Sequence, residues 1–164
     1  RTTQIGVMIN DYLTKAKDID DRVIHLLFSA NRWECNLEIK KKILEGTTLV
    51  VDRYAYSGAA YSAAKGLDLE WCKSPDIGLL TPDIVFFMNL TSEESEKRVG
   101  FGKERYEEKT FQEKVKETFD LLKDPTWKVL DASKAVYDLH HEIKDLSLET
   151  IQKCDNLKED LWKK

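Results

Sequence analysis

The stretch "VVDRYAYSG", residues 50–58, decides the fold class. Its two Val close the run "TTLVVD" (47–52), which is too short for a helix and rich in β-branched residues, and so reads as a buried strand. An Asp-Arg pair follows at once, then two Tyr separated by Ala, then Ser-Gly. Two further runs share the character of the first: "DIVFFMNL" (83–90) and "WKVLDA" (127–132). None of the three alternates strictly, which predicts strands covered on both faces. Helical patterns surround them. "DIDDRVIHLLFSANRWECNLEIKKKILEG" (18–46) carries acids at its start and Lys then Gly at its end, matching the helix dipole. "SGAAYSAAKG" (57–66) is Ala-rich, and "TSEESEKRV" (91–99) opens like a capping box. "KTFQEKVKETFDLLKD" (109–124) sets apolar residues at 111, 115, 119 and 122 on one helical face, and "KAVYDLHHEIKDLSLETIQKC" (134–154) is amphipathic. Strands alternating with helices predict an α/β fold, a mostly parallel sheet flanked by helices.

Composition narrows the function classes. The chain has 164 residues, enough for one domain with a hydrophobic core, and a net charge of −4. That charge argues against a broad nucleic-acid surface, which would be basic. No apolar run approaches the ~20 residues of a membrane span, and no signal-peptide pattern is present. Cys35, Cys72 and Cys154 are far apart and form no metal-type pair; they read as reduced thiols of an intracellular protein. His25, His140 and His141 show no ligand spacing and read as structural or surface groups.

In parallel α/β sheets, ligands bind beyond the carboxyl ends of the strands. Asp52 and Arg53 stand at the end of the first run, and Asp131 at the end of the third. Arg53 offers a forked, permanent cation suited to phosphate. Asp52 is a carboxylate for a metal or for ordering water. The bland alternative is an ion pair that merely closes a strand. Tyr54 and Tyr56 face opposite ways, so one of them can be core. Ser57-Gly58 opens the next helix, where free amides can meet an anion. Phe28 and Arg32, four apart, share a helical face. Such a pair can stack on a flat base and bond its carbonyl edge, or can be a core Phe beside a surface Arg. Leu26, Leu27, Ala30 and Trp33 make the same helix apolar nearly all round, so it packs inside the domain or against a partner subunit. "KRVGFGKERYEEKTF" (97–111) places two Gly among Lys97, Arg98, Lys103 and Arg105, as in a mobile lid over phosphates or a solvated basic loop. Neither G-x-G-x-x-G nor G-x-x-x-x-G-K-[ST] occurs.

In order and spacing, "LLFSANRWE" (26–34), "VVDRYAYSGAAY" (50–61), "WCKSPDIGLLTPD" (71–83), "FGKERYE" (101–107) and the final "LWK" (161–163) resemble the thymidylate kinase family, close to its animal members. The resemblance covers essentially the whole chain. It implies a P-loop kinase-like fold and transfer of the terminal phosphate of ATP to dTMP, giving dTDP for dTTP synthesis, with Mg2+. Phe28 would stack on thymine and Arg32 would bond its edge. Arg53 and Arg1 would hold the dTMP phosphate. Gly58 would let the backbone approach the nucleotide, with Leu13, Tyr61 and Tyr106 lining the pocket. Asp52 would sit near magnesium, Arg105 would neutralise charge during transfer, and Arg98 and Lys134 would lie near the adenine. Residues 97–110 would form the lid, and helix 18–45 a homodimer contact, in a protein of the cytoplasm or of nuclear or mitochondrial pools. The family opens with a strand, a Gly-rich phosphate-binding loop, a helix and a second strand. The resemblance begins after these, so the chain is expected to be one domain over 1–164 that lacks that N-terminal segment. Two other readings remain at this point: a deoxynucleoside kinase, and a non-catalytic nucleotide-binding or dimerisation fragment.

Overall fold

The computed structural model describes residues 2–91, 94, 108–154 and 156–163. Helix α1 runs Gln4–Leu13, α2 Asp21–Leu44, α3 Ala55–Ala64 and α4 Leu69–Lys73, followed by a single 3-10 turn at Ser74–Asp76. Strand β1 covers Val85–Asn89, α5 Lys109–Leu122, β2 Trp127–Asp131 and α6 Val136–Lys153.

Local chemistry sets most of these boundaries. Asp20 caps α2, its carboxylate accepting from the amides of Arg22 and Val23 at 2.9 and 3.4 Å. Lys41 and Lys42 lie in the last turn, and Gly46 follows at φ +85°, a left-handed position that suits glycine. Thr3 caps α1 by accepting from the Gly6 amide, and Asp68 caps α4 by accepting from that of Trp71. Helix α1 has no counterpart in the sequence reading.

β1 and β2 pair in parallel, from Val85 opposite Trp127 to Asn89 opposite Asp131, with α5 lying between them in sequence. The main core joins α3, α5 and β2. Ala55, Ala59 and Ala60 are fully buried, and such small side chains allow close approach of helices. Val115, Leu122 and Trp127 pack against them. Phe119 stacks tilted on Phe87 at 5.2 Å, and Tyr56 meets Trp127 edge to face at 5.0 Å. A second cluster binds α1 to α2 through Ile9, Tyr12, Leu13 and Ile24.

Two expectations are corrected. Residues 47–52 form no strand; Val50 is 98% exposed and Val51 51%. A strand exists only when its amides and carbonyls find a neighbour, and among the described residues the sheet has two strands. Nor are both faces of that sheet covered, because Met88 and Val129 stay largely open. The segments expected to be helical at 18–46, 57–66, 109–124 and 134–154 contain α2, most of α3, α5 and α6. Most of 91–99 lies outside the described residues.

Candidate functional site

Arg53 sits between the apolar run and α3 with φ +63°. A side chain in the left-handed region costs roughly 1–2 kcal/mol, so the turn aims Arg53 at some expense in stability. Its guanidinium lies over the Tyr61 ring, 5.4 Å from the centroid. Tyr61 is held in turn by α5, with its ring edge-on to Phe111 and Phe119 and its hydroxyl accepting from Gln112 Nε2 at 3.4 Å. Among the described residues Arg53 makes no ion pair, and neither does the exposed Asp52 beside it. The strand-closing ion pair is therefore not what this pair does. A guanidinium left without a carboxylate partner keeps its forked donors available to an anion.

Helix α3 begins at Ala55, two residues earlier than the sequence suggested. The amides of Ser57 and Gly58 already bond to the Tyr54 carbonyl, at 3.1 and 3.4 Å. Among the described residues, the amides of this helix end left without a partner are thus those of Ala55 and Tyr56. The two tyrosines part as expected. Tyr56 is core, and Tyr54 is half-buried close to Arg32 and Asp76. Burial pushes the Tyr54 hydroxyl up to about 12, so it stays protonated at neutral pH.

Arg32 is neither a surface residue nor a free one. Its side chain is 12% exposed and grips the fully buried Asp76. Nε donates to Oδ1 at 3.1 Å and Nη2 donates to Oδ2. Ser29 Oγ donates to the same Oδ1 at 2.7 Å, sharing its single proton with the Pro75 carbonyl at 3.0 Å, which also accepts from Trp33 Nε1. The guanidinium lies against Gly58: a Cβ there would stand 2.9 Å from Nη2 and 3.1 Å from Nη1. Glycine is what lets α3 come so close to this cation.

Two turns back along α2 from Arg32, His25 continues the polar seam. Its Nε2 donates to the Cys72 carbonyl at 2.9 Å, which leaves Nδ1 to accept from Ser62 Oγ at 2.8 Å. The ring is fully buried and rests against Trp71 at 5.2 Å. Burial, the largest influence, lowers its pKa and keeps it neutral. His25 is structural, as the sequence suggested.

The structure thus brings together Arg32 with Gly58, and Arg53 with Tyr61, along α2 and α3. Phe28 is half-buried against the α1–α2 cluster that contains Leu13. Leu13 itself is a core residue, 6% exposed. Lys134 stands apart, past the end of β2, exposed and paired with Glu142 at 2.7 Å. That hydrogen bond raises its pKa. Next to it, Asp131 accepts from the amide and hydroxyl of Ser133, bonds that hold its carboxyl below the usual range. Arg1, Arg98, Arg105 and Tyr106 lie outside the described residues, as does the lid but for residues 108–110. Sequence reasoning missed Asp76. "SPD" signals a turn, but no local feature says that its carboxylate is buried under an arginine 44 positions earlier.

Among the described residues no group of three or more His, Cys, Asp or Glu could hold a metal. Magnesium needs no such group, since it is commonly bound by one or two carboxylates together with substrate phosphates and water. Asp52, exposed and without an ion pair among the described residues, fits that requirement. No helix of the described residues is long and apolar enough to cross a membrane.

Comparison with known proteins bears on this geometry. The family profile described as "Thymidylate kinase" matches residues 1–143. The chain is 47% identical to a thymidylate kinase of Arabidopsis thaliana over 94% of its own length and 59% of the relative's. It is 47% identical to the Homo sapiens thymidylate kinase, over 99% of this chain and 79% of that one. A solved structure of thymidylate kinase from Candida albicans superposes with a TM-score of 0.85 at 36% identity, covering 97% of this chain and 80% of the other. These matches run along nearly the whole of the chain, and they do not bear out the expected loss of an N-terminal segment.

Proposed function

The chain belongs to the thymidylate kinase family and has its P-loop kinase fold, and on that premise we propose that it transfers the terminal phosphate of ATP to dTMP, giving dTDP. The observation that carries the site is Arg53. It is a cation fixed by a left-handed turn, stacked on Tyr61 and without an ion-pair partner among the described residues. In this reading Arg53 and Arg1 bind the dTMP phosphate. Phe28 stacks on the base, Arg32 donates to its carbonyl edge across Gly58, and Leu13, Tyr61 and Tyr106 shape the pocket. Phosphoryl transfer needs little covalent chemistry from a protein. It needs alignment of donor and acceptor and neutralisation of oxygen charge. An acceptor that is already a phosphate oxygen needs no base, which accords with an exposed Asp52 serving as a metal-side carboxylate. When bound, Mg2+ would supply charge neutralisation at the transferring phosphoryl group.

The domain would span 1–164, with a lid over 97–110 that brings Arg98 and Arg105 to the nucleotide. Lys134 would reach the adenine only after leaving Glu142. A homodimer through α2 is supported by its open apolar residues: Leu26 is 46% exposed, Trp33 41% and Leu37 80%. Cys35, Cys72 and Cys154 form no disulfide with one another, which supports a place inside the cell. The test is ADP release on mixing the protein with ATP, Mg2+ and dTMP. Release that depends on dTMP, and that falls at least about a hundredfold in Arg53→Ala, is expected, since several kcal/mol of phosphate alignment would be lost. Release independent of dTMP would overturn the proposal.

A further inference from the structure

We infer that Asp76 is a positioning residue that sets base selectivity by fixing which edge of Arg32 faces the ligand. The inference rests on the proposed placement of the base beside Arg32. A guanidinium has five N–H donors and no acceptor. Asp76 occupies Nε and one hydrogen of Nη2, and Ser29 donates to Oδ1, the oxygen that Nε also bonds. Nη1 makes no hydrogen bond with any described residue, and it borders Gly58, where a Cβ would lie 3.1 Å away. The free edge therefore presents donors only, at the one place on α3 that has no side chain.

That edge donates to a carbonyl oxygen and repels an amino group. A pyrimidine with an oxo group there is bound. One with an amino group leaves buried donors facing each other, which a polar pocket rejects strongly. Without Asp76 the guanidinium can turn, and the discrimination goes with its orientation. The buried carboxylate thus acts on the ligand through Arg32, although it touches no ligand atom itself.

The experiment compares the full protein with its Asp76→Asn and Ser29→Ala variants. It measures binding of dTMP, dUMP and dCMP by calorimetry, and kcat and KM with dTMP. The last two probes differ only in the oxo or amino group and the ring nitrogen beside it. For Asp76→Asn the preference for dUMP over dCMP should drop at least tenfold. KM for dTMP should rise about tenfold, with kcat within about threefold. Ser29→Ala should shift the same ratio two- to fivefold. In an Arg32→Ala background, Asp76→Asn should change the ratio no further. If Asp76→Asn does not fold, the Ser29→Ala ratio decides. An unchanged ratio in a folded variant overturns the inference and leaves the kinase reading standing. A parent protein that binds neither dTMP nor dUMP overturns the reading of the site and the inference with it.

Discussion

Replacing Gly58 with Ala should cost stability and nucleotide affinity together, although the substitution favours a helix. In a helix interior, Gly to Ala is worth about 0.5–1 kcal/mol of stabilisation. The new Cβ would stand 2.9 Å from Arg32 Nη2, and ordinary contact begins at 3.4 Å. A shift of about 0.5 Å is needed, and Arg32 is not the loose end of a flexible side chain. It is clamped to a fully buried carboxylate. Overpacking of this kind costs about 1–3 kcal/mol. The balance is a net loss of about 1 kcal/mol, or a Tm lower by about 2–4 °C for a chain of this size.

The same shift moves Arg32 relative to the base, so Kd for dTMP should rise about tenfold, a difference of about 1.4 kcal/mol. Gly66→Ala is the comparison. Gly66 has open space around it but φ +99°, so its substitution should lower Tm through backbone strain of about 1–2 kcal/mol and leave dTMP binding unchanged. The assay is thermal unfolding by circular dichroism, paired with calorimetric titration of dTMP. A Gly58→Ala variant that melts higher than the parent and binds dTMP equally well would refute the close-approach argument.

Arg53→Gly should separate stability from function: relief of the left-handed turn holds Tm level or raises it by up to about 4 °C, while dTMP-dependent ADP release falls at least about a hundredfold; a coupled kinase assay beside a melt checks both. His25 should make the protein acid-sensitive. Its folded pKa lies below the ordinary 6.5, so the unfolded chain binds the extra proton first, and stability present above about pH 6.5 is lost as pH falls through the folded value, by at most about 1.4 kcal/mol per pH unit; the slope of Tm between pH 7.5 and 5 should flatten in His25→Gln. Leu37→Asp, at a position 80% exposed, should convert a dimer to a folded monomer in sedimentation velocity; an unchanged dimer would remove α2 from the interface.

The helices were legible because their signals are local. Asp20 before α2, the lysines in its last turn, and the spacing of 111, 115, 119 and 122 on α5 all act within a few residues. α1 went unread because "QIGVMINDYL" holds a Gly and few strong formers; its stability comes from packing Ile9, Tyr12 and Leu13 onto Ile24. The run at 47–52 failed in the opposite direction. β-branched residues favour extension, but a strand is defined by a neighbour elsewhere in the chain. The site divides in the same way. Arg53 was legible as a forked cation after an apolar run, although that run is no strand, and Phe28 with Arg32 as one helical face. Asp76 was not, because burial and a partner 44 positions away are properties of the tertiary structure.

His25, Ser29 and Arg32 lie at i, i+4 and i+7 on α2 and bond the block opposite in turn: His25 reaches Ser62 and the Cys72 carbonyl, Ser29 the Pro75 carbonyl and Asp76, and Arg32 the same Asp76. A purely apolar seam could slide by a fraction of a turn with little loss, since hydrophobic contact is not directional. A polar one cannot. Displacement would leave several buried groups unsatisfied at about 1–3 kcal/mol each. The seam therefore fixes the rotation of α2 against α3 through Ser62 and against α4 and the 3-10 turn through the rest, and with it the position of Arg32 against Gly58. The face that reads as a binding motif in the sequence is held in place by residues that carry no such signal. Ser29→Ala and His25→Gln, neither of which removes a proposed ligand contact, should each weaken dTMP binding. In a double-mutant cycle the pair should depart from additivity, because both fix the same helix rotation; strict additivity would mean that the two anchors act separately and that the seam does not move as one piece.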